Sequence, residues 1–165
     1  MDSLPQELLC ILLGYLQVLD AFRVAGVCKH LRSASMNLVD ARLADFTSLP
    51  ATVKDRFRTS VISPDNMKIL KRYQAIDLSR TGVTAEDVVS LIRCGITVIT
   101  IHQCFNIDQR SLLSGLRDYG AENPDVFVSL HTARSHIGMW LNLRSDLMPY
   151  SGNICIYDDN TQSKV

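Results

Sequence analysis

The chain has 165 residues, of which 47% are hydrophobic, and its formal net charge is zero. Such a chain can bury the core of one domain or of two small ones. The balanced charge gives no indication, at the level of the whole chain, of the broad basic surface that phosphate binding requires, so we expect no nucleic acid partner.

The cysteines and the apolar segments indicate the compartment. Five cysteines are widely spaced and odd in number, unlike a disulfide framework. The apolar stretch 8–16 follows acidic residues, has no cationic leader and is too short to span a bilayer. We therefore expect a cytoplasmic or nuclear protein with no membrane partner.

The first fifty residues predict three short helices. Leu8, Leu12 and Leu16 recur at intervals of four residues and predict an apolar helix face. Asp20 is a suitable N-cap for a second helix. A third apolar cluster, which predicts the third helix, contains Leu31, Leu38, Val39 and Leu43. By periodicity alone, these faces would more often pack on one another than bind a partner.

The order of particular residues favours a partner instead. The Leu4-Pro5 pair, the apolar helix up to Leu16, Asp20, and the Val27-Cys28 pair resemble the F-box family across nearly the whole motif. In that family, this surface binds the Skp-type adaptor of SCF ubiquitin ligases. The residues that the resemblance assigns to adaptor binding are Leu4, Pro5, Leu8, Ile11, Leu12, Leu16, Val27 and Cys28.

Two positions depart from the family pattern. Leu31 stands where the family often has Trp, and Ala21 stands where Leu is usual. Both substitutions reduce apolar area, and we expect them to weaken docking without abolishing it.

The rest of the chain divides into a connector and a repeat region. Residues 47–72 mix Pro and Ser with charged residues, which is typical of a connector with short helices. We accordingly place an F-box at 1–46, a connector at 47–72 and a second domain at 73–165.

An apolar alternation recurs after residue 72. Ile76-x-Leu78, Ile99-x-Ile101, Val128-x-Leu130 and Ile154-x-Ile156 each predict a short buried strand. Their steps of 23, 29 and 26 residues are typical of leucine-rich repeats. A single apolar triplet is more often an ordinary buried strand, but four in register after an F-box favour a repeat.

The second unit carries an additional signal. Cys104 and the Ile107-Asp108 pair resemble the cysteine-containing repeats that commonly accompany F-boxes. The predicted fold class is α+β or an α/β repeat: a three-helix F-box, then a short strand-helix stack of leucine-rich repeats. The F-box side and residues 140–147 are the candidates for capping this stack.

Aligning the strands by those steps predicts two outward columns. The first contains Asp77, Thr100, Ser129 and Cys155, and the second contains Ser79, His102, His131 and Tyr157. In the repeat family the concave side often receives the partner. The candidate substrate-binding residues are therefore Asp77, Ser79, Thr100, His102, Ser129, His131 and Tyr157; the alternative is an ordinary solvated surface.

Metal binding and catalysis are poorly supported. His102 and His131 suggest a metal site near Cys94, Cys104 and His136, but their spacing is not that of a metal motif. No Cys-His pair with an orienting third group and no phosphate-binding glycine loop can be identified. We expect no metal, no cofactor and no enzymatic activity.

The resemblance implies a substrate-recognition adaptor of an SCF-type E3 ubiquitin ligase. Such a chain would bind a Skp-type adaptor, through it a cullin scaffold, and a protein substrate, while other subunits transfer ubiquitin. Two alternatives remain. The chain could be a regulatory partner of the Skp-type protein alone, or a repeat-fold assembly factor whose helices never meet an adaptor.

Overall fold

The structure is a computed structural model, and it describes residues 4–39, 41–47, 62–132 and 153–158. The predicted cap at 140–147 and most of the predicted connector lie outside the described residues. The helices are α1 (Gln6–Gly14), α2 (Val18–Ala25), α3 (Lys29–Ser35), α4 (Pro64–Leu70), α5 (Ala85–Arg93) and α6 (Gln109–Glu122). The strands are β1 (Leu43–Asp45), β2 (Ala75–Asp77), β3 (Val98–Thr100), β4 (Val128–Thr132) and β5 (Ile154–Asp158).

Helices α1 to α3 form an N-terminal helical segment, as predicted, but two details differ. The predicted N-cap Asp20 is wrong, because α2 begins at Val18 with Gln17 as its N-cap. Asp20 lies in the first turn and pairs with Arg23 at 2.8 Å. The helix dipole stabilises a carboxylate in the first turn as well as at the N-cap. The presence of an Asp therefore did not identify the residue at which α2 begins.

The third helix is shorter than its apolar cluster suggested. Helix α3 ends at Ser35, and Leu43 lies in β1, where it is exposed while the next residue, Ala44, is fully buried. This alternation is that of a strand. The assignment of Leu43 to a third helix is therefore wrong.

The five described strands form one parallel sheet in the order β1-β2-β3-β4-β5. Its central row contains Ala44, Ile76, Ile99 and Leu130, which are in register and fully buried. Helices α5 and α6 each connect two neighbouring strands, as parallel pairing requires. The sheet begins at Leu43, earlier than the sequence predicted, so the segment assigned to the F-box contributes a strand.

The predicted alignment of β3 with β4 is wrong by two residues. We expected Val128 to lie beside Ile99, whereas Leu130 pairs with Ile99. Side chains alternate with a period of two along a strand, so a slip of two residues leaves the same side chains on the same face. The apolar pattern therefore identified the buried face but not the register.

The helical segment packs directly on the sheet. The rings of Phe22 in α2 and Phe46 after β1 lie 6.5 Å apart. Arg72 Nε donates to the carbonyl oxygen of Met36 at 2.7 Å. These contacts join the two parts into one packed unit.

Candidate protein-binding surfaces

One face of α1 presents apolar side chains to solvent. We call it the α1 face, and it comprises Leu8, Ile11, Leu12 and Tyr15. The side chains of Leu8 and Leu12 are 48% and 54% exposed, and that of Tyr15 is 80% exposed. On the same helix, Cys10 and Leu13 are buried and hold α1 against the rest of the segment. Clustered exposed apolar side chains of this kind commonly occur where a protein binds another protein, a membrane or a ligand.

The other predicted adaptor-binding residues surround this face unevenly. Leu4 and Pro5 are exposed immediately before α1. Val27 and Cys28 are exposed where α2 passes into α3, and α1 packs on α3. Leu16 is only half-exposed. The structure thus leaves every residue of the predicted set at least partly accessible.

Local hydrogen bonds explain the geometry of the helical segment. The Cys28 thiol caps α3 by accepting from the Leu31 amide at 3.5 Å. Gln6 Nε2 donates to Ser33 Oγ at 3.1 Å, which joins the start of α1 to α3. The second bond, together with the buried Cys10 and Leu13, holds α1 against the rest of the segment.

The two departures from the F-box pattern have different surroundings. Ala21 is fully buried between the helices, so its small size affects internal packing rather than the exposed surface. Leu31 is half-buried and remains accessible. Only Leu31 therefore changes the apolar area that a partner could contact.

The sheet carries a second candidate surface, which we call the polar face. It consists of one row of in-register side chains: Asp45, Asp77, Thr100, His131 and Tyr157. This row takes residues from both of the predicted columns. Thr100 lies beside His131, whereas Ser129 is in register with Val98 and Cys155 in the neighbouring row.

Two of the predicted substrate-binding residues are largely buried. Ser79 and Ser129 are 6% and 9% exposed. Ser79 Oγ accepts from the His102 amide at 3.1 Å, and Ser129 Oγ is hydrogen-bonded to His131 Nε2 at 2.9 Å. Their hydroxyls hold neighbouring groups in place, so these two serines offer little surface to a partner.

The accessible members of the polar face are held in defined positions. The rings of His131 and Tyr157 are stacked with centroids 5.1 Å apart. Asp77 Oδ1 accepts from the Ser79 amide at 2.9 Å. Asp45 Oδ1 accepts from the Thr47 amide and hydroxyl at 2.7 and 2.6 Å. A row that combines aromatic rings with carboxylates held in place offers a ligand both stacking contacts and charge-assisted hydrogen bonds.

Asp45 and its strand were missed at the sequence level. Asp45-Phe46-Thr47 has the same order of acidic, apolar and hydroxyl residues as Asp77-Leu78-Ser79. In both places the Asp carboxylate accepts from the amide two residues later. This repeated tripeptide could have identified β1.

The environment of Cys104 does not favour the hypothesis of a catalytic or metal-binding cysteine. Its thiol lies in the core, 3.2 Å from the carbonyl oxygen of Leu78, and burial raises the pKa of Cys104. A raised pKa favours the neutral thiol over the reactive, metal-binding thiolate. Within the part of the chain that the structure describes, no group of three or more His, Cys, Asp and Glu residues could hold a metal ion. His136 lies outside that part.

None of the described helices is both long enough and apolar enough to cross a membrane.

Comparison with known families bears on the helical segment. Residues 1–40 match the F-box domain. The match includes α1, α2, α3 and the α1 face, and it supports an adaptor role in an SCF-type ligase through a Skp-type protein. F-box proteins are typically non-catalytic substrate receptors. No match to the chain was found among curated proteins or among solved structures.

Proposed function

We propose that this chain is a substrate-recognition adaptor of an SCF-type E3 ubiquitin ligase. The α1 face, with Leu4, Pro5, Leu16, Val27 and Cys28, would bind a Skp-type adaptor and through it a cullin scaffold. The polar face would bind a protein substrate, and other subunits would transfer ubiquitin. A cytoplasmic or nuclear location fits this role.

One observation gives the main support for the proposed adaptor contact. The leucines that the F-box pattern assigns to binding are about half exposed, on a helix whose other side is buried. Full burial of a leucine contributes about 1.5–3 kcal/mol, so covering the remaining half of each of two leucines would contribute roughly 1.5–3 kcal/mol together. That is a substantial share of the free energy of an ordinary protein complex.

The recurrence of one structural unit supports the proposed leucine-rich-repeat stack. After β2 and after β3, the chain turns through a residue with a positive φ, Arg80 at 61° and Gln103 at 55°. A helix then begins at a side-chain cap, Thr84 for α5 and Asp108 for α6. Stacking of such units builds a continuous parallel sheet.

We retain the proposed division into an F-box at 1–46, a connector at 47–72 and a repeat domain at 73–165. In this division, β1 is the strand by which the F-box segment joins the edge of the sheet. The repeat sheet then presents its polar face in a fixed relation to the α1 face.

The adaptor contact is tested by titrating the full chain with a purified Skp-type adaptor. Leu8→Asp with Leu12→Asp would place two charges in the contact and should weaken binding at least about 100-fold. The matched control is Phe105→Asp with Phe127→Asp, which places the same charges on exposed aromatic residues of the sheet region. The control should bind like the wild type, and circular dichroism should show all variants folded.

Failure of the folded wild type to bind would overturn the proposal and favour a repeat-fold assembly factor without an adaptor. Binding without ubiquitin transfer to any co-purifying protein, in a ligase reconstituted with the cullin scaffold, would favour the regulatory alternative.

A further inference from the structure

A groove of about 470 Å³ lies where the end of α1 meets the first strand. Residues 14–17 line one side, and Arg42 and Leu43 line the other. Tyr15 and Leu43 are the two large exposed apolar side chains of this lining. The groove therefore combines apolar side chains with the cationic side chain of Arg42.

The groove walls are held by backbone contacts. The amide of Val39 donates to the carbonyl oxygen of Cys10 at 3.4 Å. A Cβ atom at Gly14 would overlap the carbonyl oxygen of Val39, so only glycine permits this close approach. Because backbone atoms set the separation of α1 from β1, the groove is largely formed before binding.

The groove continues the α1 face. Tyr15 follows Leu8 and Leu12 along the same side of the helix at helical spacing. Leu16, which the F-box pattern assigns to adaptor binding and which is less exposed than the others, lines the groove. The apolar surface therefore runs from Leu8 along α1 and onto the edge of the sheet at Leu43.

Charge indicates what would complete this surface. Arg42 is exposed, and among the residues that the structure describes no carboxylate forms an ion pair with it. An exposed arginine in a groove pairs well with a carboxylate, because its planar guanidinium can donate two hydrogen bonds. The complementary segment thus carries an apolar side chain next to Asp or Glu.

We propose that this groove extends the adaptor-binding surface beyond the F-box pattern. It would receive an apolar side chain of the Skp-type adaptor between Tyr15 and Leu43, and an adjacent carboxylate of the adaptor would pair with Arg42. The inference rests on the proposed function, because the groove adjoins the α1 face and shares Leu16 with it.

The experiment measures the Kd of the full chain for a purified Skp-type adaptor by calorimetry. Arg42→Glu should raise Kd about 10-fold or more at low salt, and Leu43→Ser, which leaves every residue of the α1 face unchanged, should raise it several-fold. The controls are Arg110→Glu and Phe105→Ser with Phe127→Ser, which change exposed residues of the sheet region. Both controls should stay within about twofold of the wild type.

The dependence of Kd on ionic strength provides a second test, with a more conservative substitution. Arg42→Gln removes the charge at an exposed position and should leave the melting temperature unchanged. The Kd of the wild type should rise more steeply with ionic strength than that of Arg42→Gln, because screening weakens an ion pair at the margin of an interface. Parallel salt curves would overturn the assigned ion pair.

The outcomes separate this inference from the proposed function. If Leu8→Asp with Leu12→Asp abolishes binding while the groove variants bind like the wild type, the groove proposal fails and the adaptor function stands. If none of these variants alters binding, both fail. If the groove variants retain the adaptor but capture less of a co-purified substrate, the groove belongs to the substrate and this proposal is overturned.

Discussion

Leu8 and Leu12 of α1 are about half exposed, whereas Ile76 and Ile99 of the central strands are fully buried. Both pairs belong to regular apolar patterns in the sequence, one with helical spacing and one with strand alternation. The sheet covers its pattern with helices of the same chain, whereas α1 leaves half of its pattern exposed to solvent. Periodicity therefore locates apolar surface, but it does not show what covers that surface.

Truncating one side chain in each region tests this contrast directly. Ile99→Ala should lower the free energy of unfolding by about 2–5 kcal/mol, since it opens a cavity in the central strand. Leu12→Ala should lower it by less than about 1 kcal/mol, because the side chain is half in solvent. Urea unfolding followed by circular dichroism measures both, and equal losses would contradict the distinction between the two regions.

The capped helices of the sheet region offer the next test. Thr84 Oγ accepts from the Asp87 amide, and the Asp87 carboxylate accepts from the Thr84 amide and hydroxyl at 2.9 and 2.8 Å. Thr84→Ala should cost about 0.5–2 kcal/mol of unfolding free energy. Thr84→Ser keeps the hydroxyl and should restore most of it, and failure of Ser to do so would assign the loss to packing of the methyl group instead.

Tyr73 tests how strictly the core of the sheet excludes polar groups. Its hydroxyl is buried and has no hydrogen-bond partner among the described residues, and burial raises its pKa to about 12. Tyr73→Phe should therefore be neutral or stabilising by up to about 1 kcal/mol at pH 7. A melting temperature clearly below that of the wild type would show that the hydroxyl has a partner.

The same residue gives a pH dependence of known sign. The neutral phenol is favoured in the folded state, so its stabilisation is complete below about pH 10 and is lost as the pH rises towards 12. The Tyr73→Phe variant should lose less stability than the wild type between pH 9 and pH 11. Parallel melting curves over this range would contradict the assignment.

The smallest effect is expected at the surface. Hydrogen bonds from the Ser111 hydroxyl and amide lower the pKa of Asp108, which caps α6. A lowered pKa means that this stabilisation is present above the ordinary pKa of 3.8 and is lost as the pH falls through the folded value. Carboxyl carbon NMR should show the pKa of Asp108 rising towards 3.8 in Ser111→Ala and remaining low in Ser114→Ala.

The sequence was sufficient for features that depend on local chemistry. The order of Leu4-Pro5, the α1 leucines and Val27-Cys28 predicted the F-box resemblance, and the match to residues 1–40 supports it. The apolar alternation at Ile76, Ile99, Leu130 and Ile154 predicted strands where the sheet has them. These features follow from periods of 3.6 and 2 residues, which are visible in one chain.

The sequence was insufficient where several solutions satisfy the same pattern. A slip of two residues between β3 and β4 preserves every buried side chain, so the polar face was assembled from the wrong rows. Serine is compatible with either solvent or a buried hydrogen bond, and Ser79 and Ser129 adopt the second. The groove at Arg42 depends on β1, a strand of three residues that is too short to show a period.

The pairing of β1 with β2 has a consequence for how a bound protein would be presented. Leu43 follows the helical segment by a few residues, yet it lies beside Ala75 in the sheet. Arg72, just before β2, also bonds to Met36, the residue that follows α3. In the proposed ligase, the adaptor-binding and substrate-binding surfaces would therefore turn as one body rather than about a hinge. A lysine of the bound substrate would then be modified according to its position relative to the rigid ligase, and not according to the sequence around it.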